Sequence, residues 1–326
     1  MKANVFMILA AGLLLGACSN DNEPTDNANG VAAVFTTNLD GRVQTRMADD
    51  KWAKDDAIGI FSLNDEMDGV TIDGVEKSNN AVNLKYTRTS ASAWDGGATA
   101  FRFKNPADVT VNFRAYYPHT ADDDITEGTG EKKDGTIAFD ATDQSLAGQA
   151  KFDFLFADKD KDGSASTGSK NSPNVNFRFA HSMTKIIIVL QPDGSSVTDL
   201  GTMAPKLRGL KVKGTFSLAD GVAALANDAA AVDLLLSNQT ETTNTATKQS
   251  FVAIVPPQTA SADVFLTIAS GSDSYLSAKI LSGKALEAGK CYTVTITVKK
   301  MELVVESSDI TPWAPENGGS SDAVLQ

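Results

Sequence analysis

Alternation of apolar and polar residues is the dominant pattern of this chain after Gly30. Val109–Tyr117 shows it most clearly, with an apolar side chain at every second position. Because successive side chains of a strand point to opposite faces, this segment predicts a strand with one buried face. The same alternation occurs in four further segments, Thr99–Phe103, Val175–Phe179, Val264–Ile268 and Tyr292–Val298.

Helical periodicity is scarce by comparison. The Ala-rich stretch Gly221–Leu236 could form a helix, but its end, Val232–Leu236, could equally be a strand facing Phe251–Val255. Clusters of Gly, Asn, Asp and Ser separate the apolar segments, and these residue types suit turns. Many short strands joined by turns predict an all-β fold, and the chain length predicts two antiparallel β-sandwich domains in tandem.

A polar, turn-rich segment, Lys159–Pro173, precedes a new apolar run at Phe177–Leu190. Domain boundaries commonly fall in such polar segments. We therefore predict an N-terminal sandwich over residues 47–175 and a C-terminal sandwich over residues 176–326.

The first residues of the chain predict export. A positive start and the apolar run Val5–Leu15 lead into small residues just before Cys18. The run is too short for a membrane-spanning helix, which needs about twenty apolar residues, and it indicates a signal peptide over residues 1–17. The cysteine after Leu-Gly-Ala resembles a lipobox, so Cys18 is the predicted lipidation site. The alternative is an ordinary small hydrophobic cysteine near the start of the chain. Residues 18–30 are polar and predict a flexible tether.

Charge and cysteine content narrow the possible partners. The formal net charge of −12 at pH 7 argues against nucleic acid as a partner. The chain has two cysteines, and if Cys18 carries lipid, Cys291 has no intramolecular partner. We therefore expect no disulfide and interpret Cys291 as a strand residue.

Three carboxylates at alternate positions form the most suggestive acidic motif. Asp158, Asp160 and Asp162 precede Gly163, which matches the start of a calcium-binding loop. The twelfth position of such a loop is a bidentate glutamate, whereas this chain has Ser169 there and no flanking helical pattern. The sequence favours a solvated acidic turn, and a calcium site is the open alternative.

The residue types needed for catalysis are poorly represented. Neither His119 nor His181 has another histidine or a cysteine at metal-ligand spacing, so no zinc site is predicted. No Gly-x-Ser-x-Gly turn or Walker-type glycine loop is present. His181 is interpreted as a histidine at the edge of the core rather than a catalytic base. We predict no catalytic residues, no metal and no cofactor, in a protein that is not an enzyme.

Seven short motifs are distributed over most of the chain after the tether. They are Trp52–Phe61, Ala115–Pro118, Asp153–Ala157, Phe179–Ile186, Val255–Gln258, Leu286–Val294 and Ser308–Trp313. In their order and spacing they resemble the fimbrillin family, whose members build type V pili. One small departure is Asp55-Asp56, where a Gly-Asp pair is more usual.

The resemblance implies two transthyretin-like β-sandwich domains and delivery to the outer membrane as a lipoprotein. It also implies polymerisation by strand exchange after an Arg-specific protease removes an N-terminal strand. In this chain the removable strand would lie within residues 31–46. Four apolar side chains of that segment share one face of the strand: Val31, Ala33, Phe35 and Leu39.

Cleavage is predicted after Arg46, with Arg42 as the second choice, because the family's cut lies shortly before the motif that contains Trp52. The alternative is that both arginines are solvated side chains of a surface loop. The donor strand would come from the C-terminal segment Glu302–Trp313.

The expected partners are other pilus subunits, identical or related, together with the outer membrane through lipid on Cys18 and the Arg-specific protease. The expected location is the outer membrane and the fimbria at the cell surface. The alternative function is a surface lipoprotein or pilus-tip adhesin that binds glycan or a host protein without polymerising.

Overall fold

The computed structural model describes residues 30–39, 52–64, 69–72, 83–89, 94–104, 109–201, 203–238, 245–261, 264–270 and 274–313. The predicted signal peptide, most of the tether, and Cys18, Arg42 and Arg46 lie outside the described residues. Among the described residues, no helix is long and apolar enough to span a membrane.

Nearly all regular structure in the described residues is strand, which confirms the prediction of an all-β fold. The first thirteen strands are β1 Val31–Ala32, β2 Val34–Leu39, β3 Ala57–Ser62, β4 Val70–Ile72, β5 Leu84–Arg88, β6 Trp94–Asp95, β7 Phe101–Phe103, β8 Val111–Tyr117, β9 Ile125–Thr126, β10 Thr136–Asp140, β11 Leu155–Ala157, β12 Thr167–Gly168 and β13 Asn174–His181. The helical segments are α1 Leu146–Gln149 and the 3₁₀ turns Gly97–Thr99, Asp122–Asp124 and Lys132–Asp134.

The second half of the chain continues the same pattern of short strands. Its strands are β14 Thr184–Pro192, β15 Lys206–Lys211, β16 Lys213–Ser217, β17 Ala223–Leu225, β18 Ala231–Leu235, β19 Ser237–Asn238, β20 Gln249–Val255, β21 Gln258–Thr259, β22 Phe265–Ser270, β23 Ser274–Lys279, β24 Ala285–Leu286, β25 Lys290–Val298 and β26 Leu303–Pro312.

Two sheets enclose the core of the N-terminal half. One has the order β2-β13-β11-β8-β3-β5-β6, with β12 also pairing with β8, and the other has the order β1-β7-β4. Alternation explains how they bury apolar surface: β13 sends Val175, Phe177 and Phe179 into the core, while its intervening residues are exposed. The buried side chains of both sheets form one aromatic-rich cluster.

The C-terminal half also packs two main sheets around a core. Their orders are β19-β20-β14-β25-β26 and β18-β15-β22-β23, and β21 pairs with β24. The Ala-rich stretch ends in a strand, as one alternative had it, and this strand and Phe251–Val255 lie in different sheets. Strand β18 pairs with β15, whereas β20 pairs with β14 and β19.

A further sheet joins the two halves. Its order is β17-β16-β10-β9, so β10 from the first half pairs with β16 from the second, from Thr136 opposite Ser217 to Asp140 opposite Lys213. Beside it the rings of Phe154 and Phe216 stack with centroids 4.3 Å apart. The core of the second half therefore includes apolar side chains from before residue 155. Strand β13 runs across residue 175, and the division into domains at that residue stays a prediction.

Candidate functional site

The N-terminal segment of the described chain crosses from one sheet to the other. Strand β1 pairs antiparallel with β7, and β2 pairs in parallel with β13. The crossing takes place between consecutive amides, because Ala33 N–H donates to the carbonyl of Phe101 at 2.9 Å and Val34 N–H donates to that of Pro173 at 2.9 Å. A single short segment thus completes an edge of both sheets of the N-terminal half.

Phe35 is the main apolar contact of this segment and is only 2% exposed. Its ring stacks on Phe177 at 5.6 Å with an interplanar angle of 13°. Three further rings meet it edge to face, those of Tyr86 at 4.9 Å, Phe113 at 5.3 Å and Phe101 at 6.3 Å. Burying one phenylalanine side chain stabilises a fold by roughly 1.5–3 kcal/mol, so this contact contributes much of the segment's attachment.

The other predicted residues of the strand follow the expected face. Val31 and Ala33 are buried, and Leu39 is half-buried and packs against the same cluster. On the far side of β2, the indole Nε1 of Trp94 donates a hydrogen bond to Thr37 Oγ1 at 3.0 Å. Strand β2 therefore lies between β13 and β6, the last strand at the opposite end of the same sheet.

Trp52 is the first described residue after Leu39 and belongs to the same core cluster. Its ring packs at 5.0 Å against Trp94, at 5.2 Å against Phe179 and at 5.4 Å against Tyr117. The segment that contains both candidate cleavage sites thus connects two packed residues, Leu39 and Trp52. Trp52 packs against Trp94, and Trp94 donates a hydrogen bond to Thr37 of β2. Trp52 therefore lies close to the strand whose removal is predicted.

Sequence reasoning missed two residues of this site. Trp94 lies in a short polar segment without alternation, so no periodic signal identified it. Gly30 was assigned to the tether, but its φ of +91° and the position of its missing side chain show a structural role. A Cβ there would lie 2.2 Å from the carbonyl oxygen of Phe103, and Arg102 Nη1 donates to the Gly30 carbonyl at 3.2 Å.

Strand β26, which lies in the segment predicted to donate a strand, is an exposed edge strand. It pairs antiparallel with β25 from Leu303 opposite Val298 to Pro312 opposite Lys290, with an irregularity near Glu306. Leu303 is buried at its start, whereas Val305 and Ile310 are exposed. This edge therefore offers unpaired backbone groups with few buried side chains to hold it.

The end of β26 is held by a buried polar cluster. The indole of Trp313, 1% exposed, lies parallel to the ring of His181 with centroids 3.9 Å apart. His181 Nδ1 lies 3.0 Å from Asp153 Oδ1, and the ammonium of Lys185 lies 6.0 Å from the centre of the Trp313 ring. His181 thus packs at the edge of the core and positions the C-terminal strand.

The acidic motif forms a tight turn. Asp160 Oδ1 accepts hydrogen bonds from the backbone N–H groups of Asp162 at 2.9 Å and Ser164 at 3.0 Å. Asp162 pairs with the neighbouring Lys161 at 2.7 Å. Within the described ranges, no three His, Cys, Asp or Glu side chains converge to hold a metal ion. The carboxylate of Asp160 is occupied by the turn that it stabilises.

The remaining titratable candidates lie apart from one another. Burial, and secondarily the nearby Lys85, lowers the pKa of His119, and burial raises the pKa of the Cys291 thiol. Cys291 is a free cysteine on β25, as its interpretation as a strand residue implied.

A polar cleft of about 290 Å³ is lined by residues from the first half of the chain and by Ile254 from the second. Asp153, which lies 3.0 Å from His181, lines this cleft together with residues 53–56. Its polar lining consists of Lys54, Asp55, Asp56, Tyr117, Gln149 and Asp153.

Comparison with known sequences decides the family. The sequence profile described as fimbrillin-like matches residues 45–313. The chain belongs to the fimbrillin-like family. A relative named "Putative fimbrium subunit Fim1C" from Bacteroides uniformis is 29% identical over 331 aligned residues, which cover 98% of this fimbrillin-like chain and 97% of the relative.

Solved structures show that this fimbrillin-like fold recurs. A "putative cell adhesion protein" from Bacteroides uniformis superimposes with a TM-score of 0.61 at 21% identity, covering 86% of this chain and 98% of that protein. One from Bacteroides ovatus gives a TM-score of 0.59 at 21% identity, covering 88% and 99%. The profile begins one residue before Arg46, so β1 and β2 lie outside the matched range.

Proposed function

We propose that this fimbrillin-like chain is exported as a lipoprotein, cleaved after Arg46, and polymerised into a type V pilus by strand exchange. As a fimbrial subunit it acts at the cell surface, and its family is structural and adhesive. The observation that carries the proposal is the position of β1 and β2. These strands complete the edges of two sheets. Their covalent connection to the strands that follow runs through the segment that contains Arg42 and Arg46, so cleavage there would leave them held by noncovalent contacts alone.

Release of this segment would uncover a long acceptor site. Strand β13 would lose its partner from Asn174 to Phe179, and β7 would lose its pairing with Val31 and Ala32. Unpaired edges of this kind are templates for another chain's strand. Refilling the position of Phe35 would restore a contact worth roughly 1.5–3 kcal/mol, taken as an upper bound.

The segment Glu302–Trp313 of this chain is the proposed donor to a neighbouring subunit. Strand β26 is already extended and ten residues long, and most of its side chains are exposed. Its attachment depends chiefly on backbone pairing with β25 and on the two buried ends, Leu303 and Trp313. If this strand were offered to another subunit, the core would lose these two buried side chains, while the exposed residues between them would cost little packing.

Processing would also change how the subunit is attached. Cleavage after Arg46 separates the lipid on Cys18, the tether and the first two strands from the rest of the chain. The lipid then serves delivery to the outer membrane, and the processed subunit is retained by contacts with its neighbours. Acyl chains buried in the bilayer are what hold a lipoprotein to the membrane. A subunit that has lost all of its lipid is therefore no longer anchored in the bilayer.

Limited digestion by an Arg-specific protease tests the proposal. We expect a new N-terminus at Met47, followed by the appearance of oligomers in size-exclusion chromatography. Arg46→Lys should block this cleavage because the protease does not cut after lysine, whereas Arg42→Lys, the matched control, should not. A folded protein that stays intact at Arg46, or oligomers that form without cleavage, would overturn the proposal.

The polar cleft favours a second candidate function, adhesion at a pilus tip. Carboxylate, amide and phenol groups around a small cleft can bind the hydroxyl groups of a glycan. Electron microscopy of cells lacking this chain separates the two functions. Loss of whole filaments supports a shaft subunit, whereas intact filaments with reduced adhesion support a tip adhesin.

A further inference from the structure

We infer that the site filled by β1 and β2 selects a strand from a different type of subunit. The selection depends on the order of residue types along that strand, and residues 302–326 of this chain lack this order. The order is glycine followed by an apolar residue, then at alternate positions a small, a large apolar and a hydroxyl residue. In the present strand these are Gly30, Val31, Ala33, Phe35 and Thr37. The inference rests on the proposed strand exchange and names the partner at that site.

The entry position requires glycine. Gly30 has φ of +91°, a conformation that residues with a Cβ rarely adopt, and a Cβ there would lie 2.2 Å from a backbone oxygen of β7. The Arg102 guanidinium donates to the carbonyl of Gly30 and fixes the direction of entry. A strand beginning with a larger residue would have to enter at a different angle.

The crossing point requires a small residue. Ala33 is buried where the backbone passes from β7 to β13, and its own amide bonds to Phe101. Enlarging a buried side chain in a closely packed core forces its neighbours off their preferred rotamers. Position 35, two residues later, requires a large apolar residue instead. Four aromatic rings surround Phe35, and a small residue there would leave a cavity.

The fourth requirement is a hydrogen-bond acceptor. Trp94 Nε1 donates to Thr37 Oγ1, and Trp94 is itself positioned by the ring of Trp52. Valine has the shape of threonine but offers no acceptor, so it would leave this N–H without its bond. The parallel pairing of β2 with β13 fixes the direction in which the four requirements are met.

The chain's own C-terminal region does not fit this order. With Ile310 placed at the Phe35 position, Glu306 would fall at the buried Val31 position and Pro312 at the Thr37 position. With Val305 placed there instead, Leu303 would replace the small residue at the crossing. No other frame of residues 302–326 supplies apolar, small, large apolar and hydroxyl residues at alternate positions. The better occupant is therefore a strand from another subunit type.

Peptide exchange into the cleaved protein tests this inference. The protein cut after Arg46 is incubated with excess peptide, and release of its original strand is followed by mass spectrometry. A peptide of residues 30–39 should displace the strand. Peptides carrying Phe35→Ala or Ala33→Leu should exchange at least about tenfold less well, and Thr37→Val a few-fold less well, whereas Val34→Ala, which alters an outward-facing residue, should match the parent. A peptide of residues 302–326 should not compete.

Each outcome bears on a different step. Equal competition by the 302–326 peptide, or equal exchange by all variants, would overturn the selection of a different subunit. If the cleaved protein stays folded and even the parent peptide of residues 30–39 cannot displace the strand, the proposed strand exchange itself fails.

Discussion

The indole of Trp313 lies flat on the imidazole of His181, with ring centroids 3.9 Å apart and planes within 5° of parallel. Asp153 contacts the imidazole of this pair, because its Oδ1 lies 3.0 Å from His181 Nδ1. Residues from three distant parts of the sequence thus meet where β26 ends. Because the rest of β26 is largely exposed, this contact determines how firmly the C-terminal strand is held.

Replacing Trp313 should loosen β26. We expect Trp313→Ala to lower the free energy of unfolding by about 3–5 kcal/mol, because it removes a buried indole and leaves a cavity. Hydrogen exchange should accelerate in β26 and β25 and remain unchanged in β5, which belongs to the N-terminal sheet and does not contact Trp313 in this structure. Met301→Ala, at a side chain that is 82% exposed, is the control and should change stability by less than about 0.5 kcal/mol. Unchanged exchange in β26 would show that backbone pairing alone holds the strand.

Replacing Phe35 should weaken only the uncleaved protein. Phe35→Ala should lower the free energy of unfolding of the N-terminal half by about 3–5 kcal/mol, measured by chemical denaturation, because four rings lose a partner. Val34→Ala, on the outward face of the same strand, should have a much smaller effect. After cleavage and removal of the strand, wild-type and Phe35→Ala proteins should be equally stable. A persistent difference would mean that the strand does not leave.

A buried glutamine should prove more important than a half-buried one with the same bonding pattern. Gln144 Oε1 accepts from the N–H of Ile254 at 2.8 Å, and its Nε2 donates to the Ile254 carbonyl at 2.9 Å. Gln258 pairs in the same way with the backbone of Lys211, at 3.0 and 2.8 Å, but nearer the surface. We expect Gln144→Leu to cost about 1–3 kcal/mol for each buried group left unpaired.

The matched change Gln258→Leu should cost less, because water can replace the lost bonds there. Thermal unfolding of both variants measures the difference. Equal destabilisation would show that burial does not set the value of these hydrogen bonds.

Local pattern was enough to predict those strands that alternate. Val175, Phe177 and Phe179 point into the core as their spacing required, and the continuous apolar run Phe251–Val255 lies within a strand that is buried throughout. Such signals depend only on which faces of a strand meet water. They explain why the all-β fold could be predicted from the sequence.

Pairing between distant segments has no comparable local signal. Nothing around Thr136–Asp140 indicates that β10 pairs with a strand from the other half, since any exposed edge could satisfy its backbone. The pairing of β18 with β15 has no local signal for the same reason. At the site, apolar spacing identified the Phe35 face. Trp94 gave no such signal, because it lies in a two-residue strand and contributes a single hydrogen bond. Gly30 gave none either, because its contribution is the absence of a side chain.

The buried thiol of Cys291 gives a pH-dependent test of the C-terminal core. Burial raises its pKa in the folded protein, with Lys185 acting weakly in the opposite direction. The folded state therefore favours the neutral thiol, and this contribution to stability is complete below the pKa of an unfolded cysteine, about 8.5, and is lost as the pH rises through the folded value. In protein lacking Cys18, we expect the free energy of unfolding to fall more steeply between pH 7 and pH 10 than in the matched Cys291→Ala variant.

The reactivity of the same thiol gives a second test. A thiol reagent should label Cys291 in the native protein at least about a hundredfold more slowly than in protein unfolded in guanidinium, because the thiolate is the reactive form. Rapid labelling of the native protein would show that β26 opens readily from β25, since Thr311 of β26 lies opposite Cys291 in the sheet.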